Sequence, residues 1–195
     1  MARVSVVERG TFETDIRLEL QLDGAGAHSI STGIPFFDHM LTLFAVHGCF
    51  DLTLRATGDL DVDLHHTVED VGLVLGEALD QALGDRAGVR RYGHAAVPMD
   101  ETLSAVTLDL SRRPLLVYNV PDTRAGGGPM DLILAKEFFR AVANRAGMTL
   151  HVNTAYGENL HHIAESIFKA FGRALDEAVS PDARARGVRS SKGVL

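Results

Sequence analysis

Two short stretches carry most of the chemistry in this chain. His65-His66-Thr67-Val68-Glu69 recurs 96 residues later as His161-His162-Ile163-Ala164-Glu165. Over 65–83 and 161–179 the copies agree at 8 of 19 positions, including both histidines and the glutamate. The other matches are Gly76/Gly172, Ala78/Ala174, Leu79/Leu175, Asp80/Asp176 and Ala82/Ala178. This agreement marks an internal repeat. An imidazole and a carboxylate four residues apart share one face of a helix. His65 with Glu69 can therefore grip one ion, and His161 with Glu165 another. His66 and His162 point roughly 100° away around the helix, so each can complete the other copy's site if the two helices face each other. The spacing thus suggests two metal sites built by crossed donation. Imidazole plus carboxylate without sulfur suits a divalent first-row metal rather than a cysteine-type structural zinc site. With the glutamate last, the motif is not the HExxH of zinc proteases. A lone HHxxE could equally be a polar helix start; the duplication favours metal.

These side chains need helices and strands to hold them. Each copy opens a run with apolar residues at three- and four-residue spacing: Val71, Val74, Leu75, Ala78, Leu79 and Ala82, then Ile167, Phe168, Phe171, Leu175 and Ala178. Upstream, residues 3–9 read as a strand, and Asp15 to Leu22 alternates strictly between polar and apolar. A third strand is expected over 27–31, a helix from Gly33-Ile34-Pro35 to about Gly48, and a strand carrying Leu52, Leu54 and Ala56. The second half replays this order, with strands at 94–100, 102–110 and 115–119, a helix at about 130–145 led by Gly126-Gly127-Gly128-Pro129, and a strand at 148–155. The expected fold is α+β: two duplicated βββαβα halves, with mixed, antiparallel-rich sheets and helices packed on one face. Residues 1–195 then form one domain of two repeats, about 1–88 and 89–180, followed by a tail over 181–195.

Other polar residues have two readings each. His39 is either a core histidine of the first helix or a further imidazole ligand; Glu137, on the matching helix of the second half, is its rough equivalent. The tail ends Ser190-Ser191-Lys192-Gly193. Hydroxyls, a lysine and a glycine can hold a phosphate, or the tail can fray, the commoner fate of a terminus. Arg90-Arg91 and Arg112-Arg113 are surface charges or a phosphate clamp. Asp100 and Glu101 either support ligands from behind or form a turn. His47 and His151 are expected to be structural.

Composition sets outer limits. Hydrophobic residues make up 46% and charged residues 23%, as in ordinary globular proteins. A net charge of −7 gives no reason to expect nucleic acid. The single cysteine, Cys49, fits a reducing compartment. No stretch reads as a signal peptide or membrane span, so a cytoplasmic protein without a membrane partner is expected.

Taken together, these residues resemble the imidazoleglycerol-phosphate dehydratases of histidine biosynthesis. The resemblance is carried by Gly33-Ile34-Pro35-Phe36-Phe37-Asp38-His39-Met40-Leu41, His65-His66-Thr67-Val68-Glu69-Asp70, Pro98-Met99-Asp100-Glu101, Leu150-His151-Val152, His161-His162 through Phe168-Lys169-Ala170, and Ser190-Ser191-Lys192-Gly193. It implies a carbon–oxygen lyase that converts D-erythro-imidazoleglycerol phosphate into imidazole-acetol phosphate with two Mn2+ per active site. One manganese would take His39, His66, His161 and Glu165; the other would take His65, Glu69, His162 and position 137. Family members often have histidine there; this chain has Glu137, and a carboxylate still suits manganese. Cations at the ring nitrogens favour the imidazolate, which expels hydroxide to give a diazafulvene-like intermediate. A positioned acid–base group then moves a proton. The resemblance gives that role to Glu13, otherwise a strand-edge glutamate, with Glu69 and Glu165 beside it. Arg91, Arg113, Lys169, Ser190, Ser191 and Lys192 would hold the phosphate, while His39, His65, Glu69 and His161 would touch the substrate's ring. The resemblance also implies a homo-oligomer of twenty-four subunits with sites at subunit contacts. Two competing readings use the same ligands: a dinuclear-metal phosphate-ester hydrolase, and a non-catalytic protein that assembles around metal.

Overall fold

The computed structural model describes residues 3–121 and 132–195. Six elements form the first half: β1 (Val4–Gly10), β2 (Thr14–Gln21), β3 (His28–Ser31), α1 (Pro35–Gly48), β4 (Asp51–Gly58) and α2 (His65–Leu83). The second half repeats them as β5 (Tyr92–Met99), β6 (Thr102–Asp109), β7 (Leu115–Asn119), α3 (Leu132–Ala146), β8 (Thr149–Tyr156) and α4 (Leu160–Val179). The expected βββαβα order holds in both halves. The glycine-rich lead-in to α3 lies outside the described residues.

Alternation in sequence becomes alternation in burial. Ile16, Leu18 and Leu20 of β2 face inward while Asp15, Arg17 and Glu19 face out. The two sheets have the same strand order, β1-β2-β4-β3 and β5-β6-β8-β7. In each, the first two pairings are antiparallel and the last is parallel. A parallel pair cannot be closed by a tight turn, so α1 and α3 supply the crossovers.

The helices of each half cover one face of their own sheet and meet the helices of the other half. α2 lies on β1 and β2, and α4 on β5 and β6; α1 packs on α4, and α3 on α2. The result is four layers, with both helix layers inside. Phe44 stacks on Phe171 with ring centroids 5.2 Å apart, and Phe138 on Phe168 at 5.5 Å. Each such burial stabilises by roughly 1.5–3 kcal/mol.

The repeated glycines mark the closest helix contacts. A Cβ on Gly76 would lie 2.7 Å from the Val142 carbonyl oxygen, and one on Gly172 would lie 2.6 Å from that of Phe44. Phe44 and Val142 are therefore equivalent points on α1 and α3. Five residues earlier on each helix stand His39 and Glu137, so the rough equivalence read from spacing is a geometric one.

Candidate active site

The α2 helix begins at His65, and α4 begins one residue before His161. The Asp63 side chain accepts the His65 N–H at 2.7 Å, and Asn159, the residue capping α4, accepts the His161 N–H at 2.9 Å. These bonds satisfy donors that a helix start leaves open and fix the motif in the first turn. The spacing then acts as expected: His65 Nε2 lies 3.3 Å from Glu69, and His161 Nε2 lies 3.0 Å from Glu165. The paired rings stand nearly perpendicular, at 84° for His65/His66 and 88° for His161/His162.

The contact of α1 with α4 adds His39. Its Nε2 lies 3.0 Å from Glu165 Oε1, the same oxygen that His161 meets. Among the described residues, His39, His161 and Glu165 are the one group of three whose donor atoms all fall within 4.8 Å of one another. Lys169, one turn beyond, donates to Glu165 Oε2 at 2.5 Å and reaches Met99 Sδ at 3.4 Å. Burial works against the Glu165 charge, but the bonds from Lys169, His39 and His161 outweigh it and hold the carboxyl at about 2. Glu165 is thus a permanent anion with one oxygen turned to two imidazoles. That donor set fits a divalent cation of the manganese or zinc type.

The corresponding group on α2 and α3 is not gathered. Among the described residues, His65 meets Glu69 but no third donor, and Glu137 is engaged by Arg140 on its own helix. His66 and His162 each lie against a carboxylate that the motif does not contain. His66 Nδ1 is 2.9 Å from Asp59 and 3.8 Å from Glu13; His162 Nδ1 is 2.7 Å from Glu101. Asp59 carried no signal in the sequence. Glu101 was legible only as a turn or a support; it lies in the turn between β5 and β6 with its carboxylate against His162. Because α4 packs on α1 and α2 on α3, the two HHxxE helices are not partners inside one chain.

The tail is tied down. The Gly88 N–H bonds the Gly187 carbonyl at 2.9 Å, the Asp182 N–H bonds that of Gly88 at 2.8 Å, and Arg91 donates to the Arg189 carbonyl at 2.5 Å. It closes a cavity of about 920 Å³ lined by Arg91, Arg112, Arg113, Arg189, Ser190, Ser191 and Lys192, with Tyr92 and Ser111. Arg91 forks onto Asp109 at 2.7 and 3.0 Å, which strengthens its charge. Arg91 and Arg112 hold left-handed backbone, φ 76° and 57°, a conformation that costs energy outside glycine. Arg189 and Ser111 join the residues named from sequence, and Lys169 lies instead at the histidine cluster.

Residues 32–175 match the profile of the family described as imidazoleglycerol-phosphate dehydratase. Proteins of that name from Trichlorobacter lovleyi and Pelobacter propionicus are 58% and 57% identical over 195 residues, covering the whole of both chains in each case. One from Syntrophobacter fumaroxidans is 59% identical over 193 residues, 99% of this chain and 98% of its own. The crystal structure of the Staphylococcus aureus dehydratase superposes with a TM-score of 0.82 at 38% identity, covering 92% of this chain and 99% of that one. The Pyrococcus furiosus structure gives 0.84 at 38%, covering 97% and 100%. The chain belongs to the imidazoleglycerol-phosphate dehydratase family, hydro-lyases of histidine biosynthesis.

Proposed function

We propose that the chain removes water from D-erythro-imidazoleglycerol phosphate to give imidazole-acetol phosphate, in the cytoplasm, at sites holding two Mn2+ ions and shared between subunits of a 24-subunit shell. The observation that carries the metal reading is the convergence of His39, His161 and Glu165 on one point. These three would hold one ion, with His66 from another chain as a fourth ligand. His65, Glu69 and Glu137 would hold the other, with His162 from another chain. Bound there, the ions would supply positive charge beside the substrate's ring nitrogens and favour the imidazolate form.

The chain's own groups do the rest. Glu13, half-exposed beside His66, is placed to carry a proton to or from substrate carbon. Glu69 and Glu165 keep His65 and His161 aligned and supply the anionic donors of the two sites. Arg91, Arg113, Ser190, Ser191 and Lys192 would bind the phosphate, and Lys169 would hold Glu165 in place.

Site sharing is supported by strand length. The basic cavity sits where β5 begins, at Arg91 and Tyr92; Glu101 and His162 sit beyond its other end, after Met99. Eight residues of strand span roughly 25 Å, more than a small phosphorylated imidazole can bridge. The histidine end of one chain therefore needs the basic end of another. Purified protein reconstituted with Mn2+ should consume the substrate and yield the keto product without releasing inorganic phosphate. Metal-replete protein that leaves the substrate intact, or liberates phosphate from it, would overturn this reading.

A further inference from the structure

Asp59 and Glu101 stand behind the two spare histidines. A carboxylate can only accept a hydrogen bond, so Nδ1 carries a proton in both rings, and in the neutral ring Nε2 keeps its lone pair. The nearest carboxylate to His162 Nε2 is Asp100, at 3.7 Å.

The duplicated fold identifies which carboxylates correspond. Ile16 pairs with Ala56 and Leu18 with Leu54 in the first sheet; Ser104 pairs with Thr154 and Val106 with Val152 in the second. Two residues before Ile16 and Ser104 stand Thr14 and Thr102, the buried threonines that open β2 and β6. Glu13 and Glu101 precede them and so occupy equivalent positions at their hairpin tips. Their side chains have different duties. Glu101 Oε1 accepts the N–H groups of Glu158 and Asn159 at 3.2 and 2.9 Å, while its Oε2 takes His162. Glu13 makes the matching tie with its backbone instead: its carbonyl accepts the Asp59 N–H at 3.1 Å. Asp59, in the longer segment after β4, then holds His66 through Oδ2, while its Oδ1 is buried without a partner.

We propose that Asp59 and Glu101 are positioning residues that lock His66 and His162 with Nε2 presented to metal. Transfer of this duty to Asp59 is what leaves the Glu13 carboxylate free beside the site. The inference rests on the reading of His66 and His162 as ligands.

Glu101→Gln provides the test. Two backbone donors fix the side-chain oxygen at Oε1, so the amide N–H₂ must face His162 Nδ1 and drive the ring to its Nε2–H tautomer. In metal-free protein carrying 15N-histidine, at a pH above the raised histidine value where the rings are neutral, the His162 nitrogen shifts should exchange while the fold, followed by circular dichroism, stays native. Mn2+ affinity measured by titration should fall about 10- to 100-fold. Asp59→Ala should lower it by a similar factor, and Glu13→Gln should leave both tautomers and the affinity unchanged. An unaltered His162 tautomer in Glu101→Gln, or a loss of affinity in Glu13→Gln equal to that in Asp59→Ala, would overturn the proposal. The tautomers are read without metal. Wild-type protein that holds both Nδ1–H rings yet takes up no Mn2+ would therefore sink the ligand reading itself.

Discussion

The two helix pairs are built alike and prepared differently. Gly172 lets α4 close on α1 as Gly76 lets α2 close on α3. The first pair draws His39, His161 and Glu165 together with Lys169 behind them. Among the described residues, the second leaves His65 paired with Glu69 alone and Glu137 turned to Arg140. The backbone frame is thus not what gathers ligands. One residue type on the crossing helix and the charge beside it make the difference: an imidazole at position 39 meets a carboxylate anchored by lysine, whereas a carboxylate at 137 pairs with Arg140 on its own helix.

The harshest way to break this contrast is to remove the gathered trio. His161→Ala leaves Glu165 with His39 and Lys169 but breaks the trio, and one of the two ions should be lost. A metal contribution of several kcal/mol corresponds to about 10³-fold in rate, so turnover should fall at least that far, with bound manganese measured by elemental analysis halved. Full metal content in this variant would show that the trio is not a site. Glu13→Gln should come next, lowering turnover by about 10²- to 10⁴-fold with both ions retained. An unimpaired rate would remove Glu13 from the proton transfer.

Acidity sharpens the comparison further. Glu165 stays ionised throughout the neutral range. The Asp59 and Glu101 bonds raise the His66 and His162 values above that of an ordinary histidine. In metal-free protein, the stability from these pairs is therefore fully present below the unfolded histidine value and lost as pH rises through the raised one. Metal needs the neutral ring, so Mn2+ affinity should show the opposite trend, falling by up to about tenfold per pH unit for each proton displaced as pH drops through that raised value. Titrations at several pH values that give one constant affinity would contradict the assignment of either histidine as a ligand.

What was legible from sequence was what local geometry decides. The HHxxE pairs sit four residues apart on one helix, and strand alternation decides which side of β2 is buried; neither needs knowledge of the rest of the chain. Asp59 was not legible because its contact with His66 depends on how the segment after β4 folds back, and no periodicity records that. Nor could spacing show that α4 would choose α1 over α2. The close approach of α4 to α1 uses a glycine, Gly172, whose missing side chain matters only once the Phe44 carbonyl arrives. The tail's hydroxyls and lysine suggested an anion binder or a frayed end; its attachment to Gly88 and Arg91 is a long-range matter that no local pattern records.

The mildest change addresses the contrast at its source. Glu137→His puts an imidazole at the α3 position equivalent to His39 and releases Arg140 from its carboxylate. If position 137 is a ligand, a second-half histidine should make the two sets alike, and Mn2+ affinity should stay within about tenfold because both donor types serve manganese. Selectivity should move instead: imidazole suits zinc, whereas carboxylate favours manganese. Protein loaded from an equal mixture of Mn2+ and Zn2+ should therefore carry a higher zinc fraction than wild type, with the excess confined to one ion per site. An unchanged ratio would mean that Glu137 serves Arg140 and the stability of α3, and that the second ion draws its ligands from elsewhere.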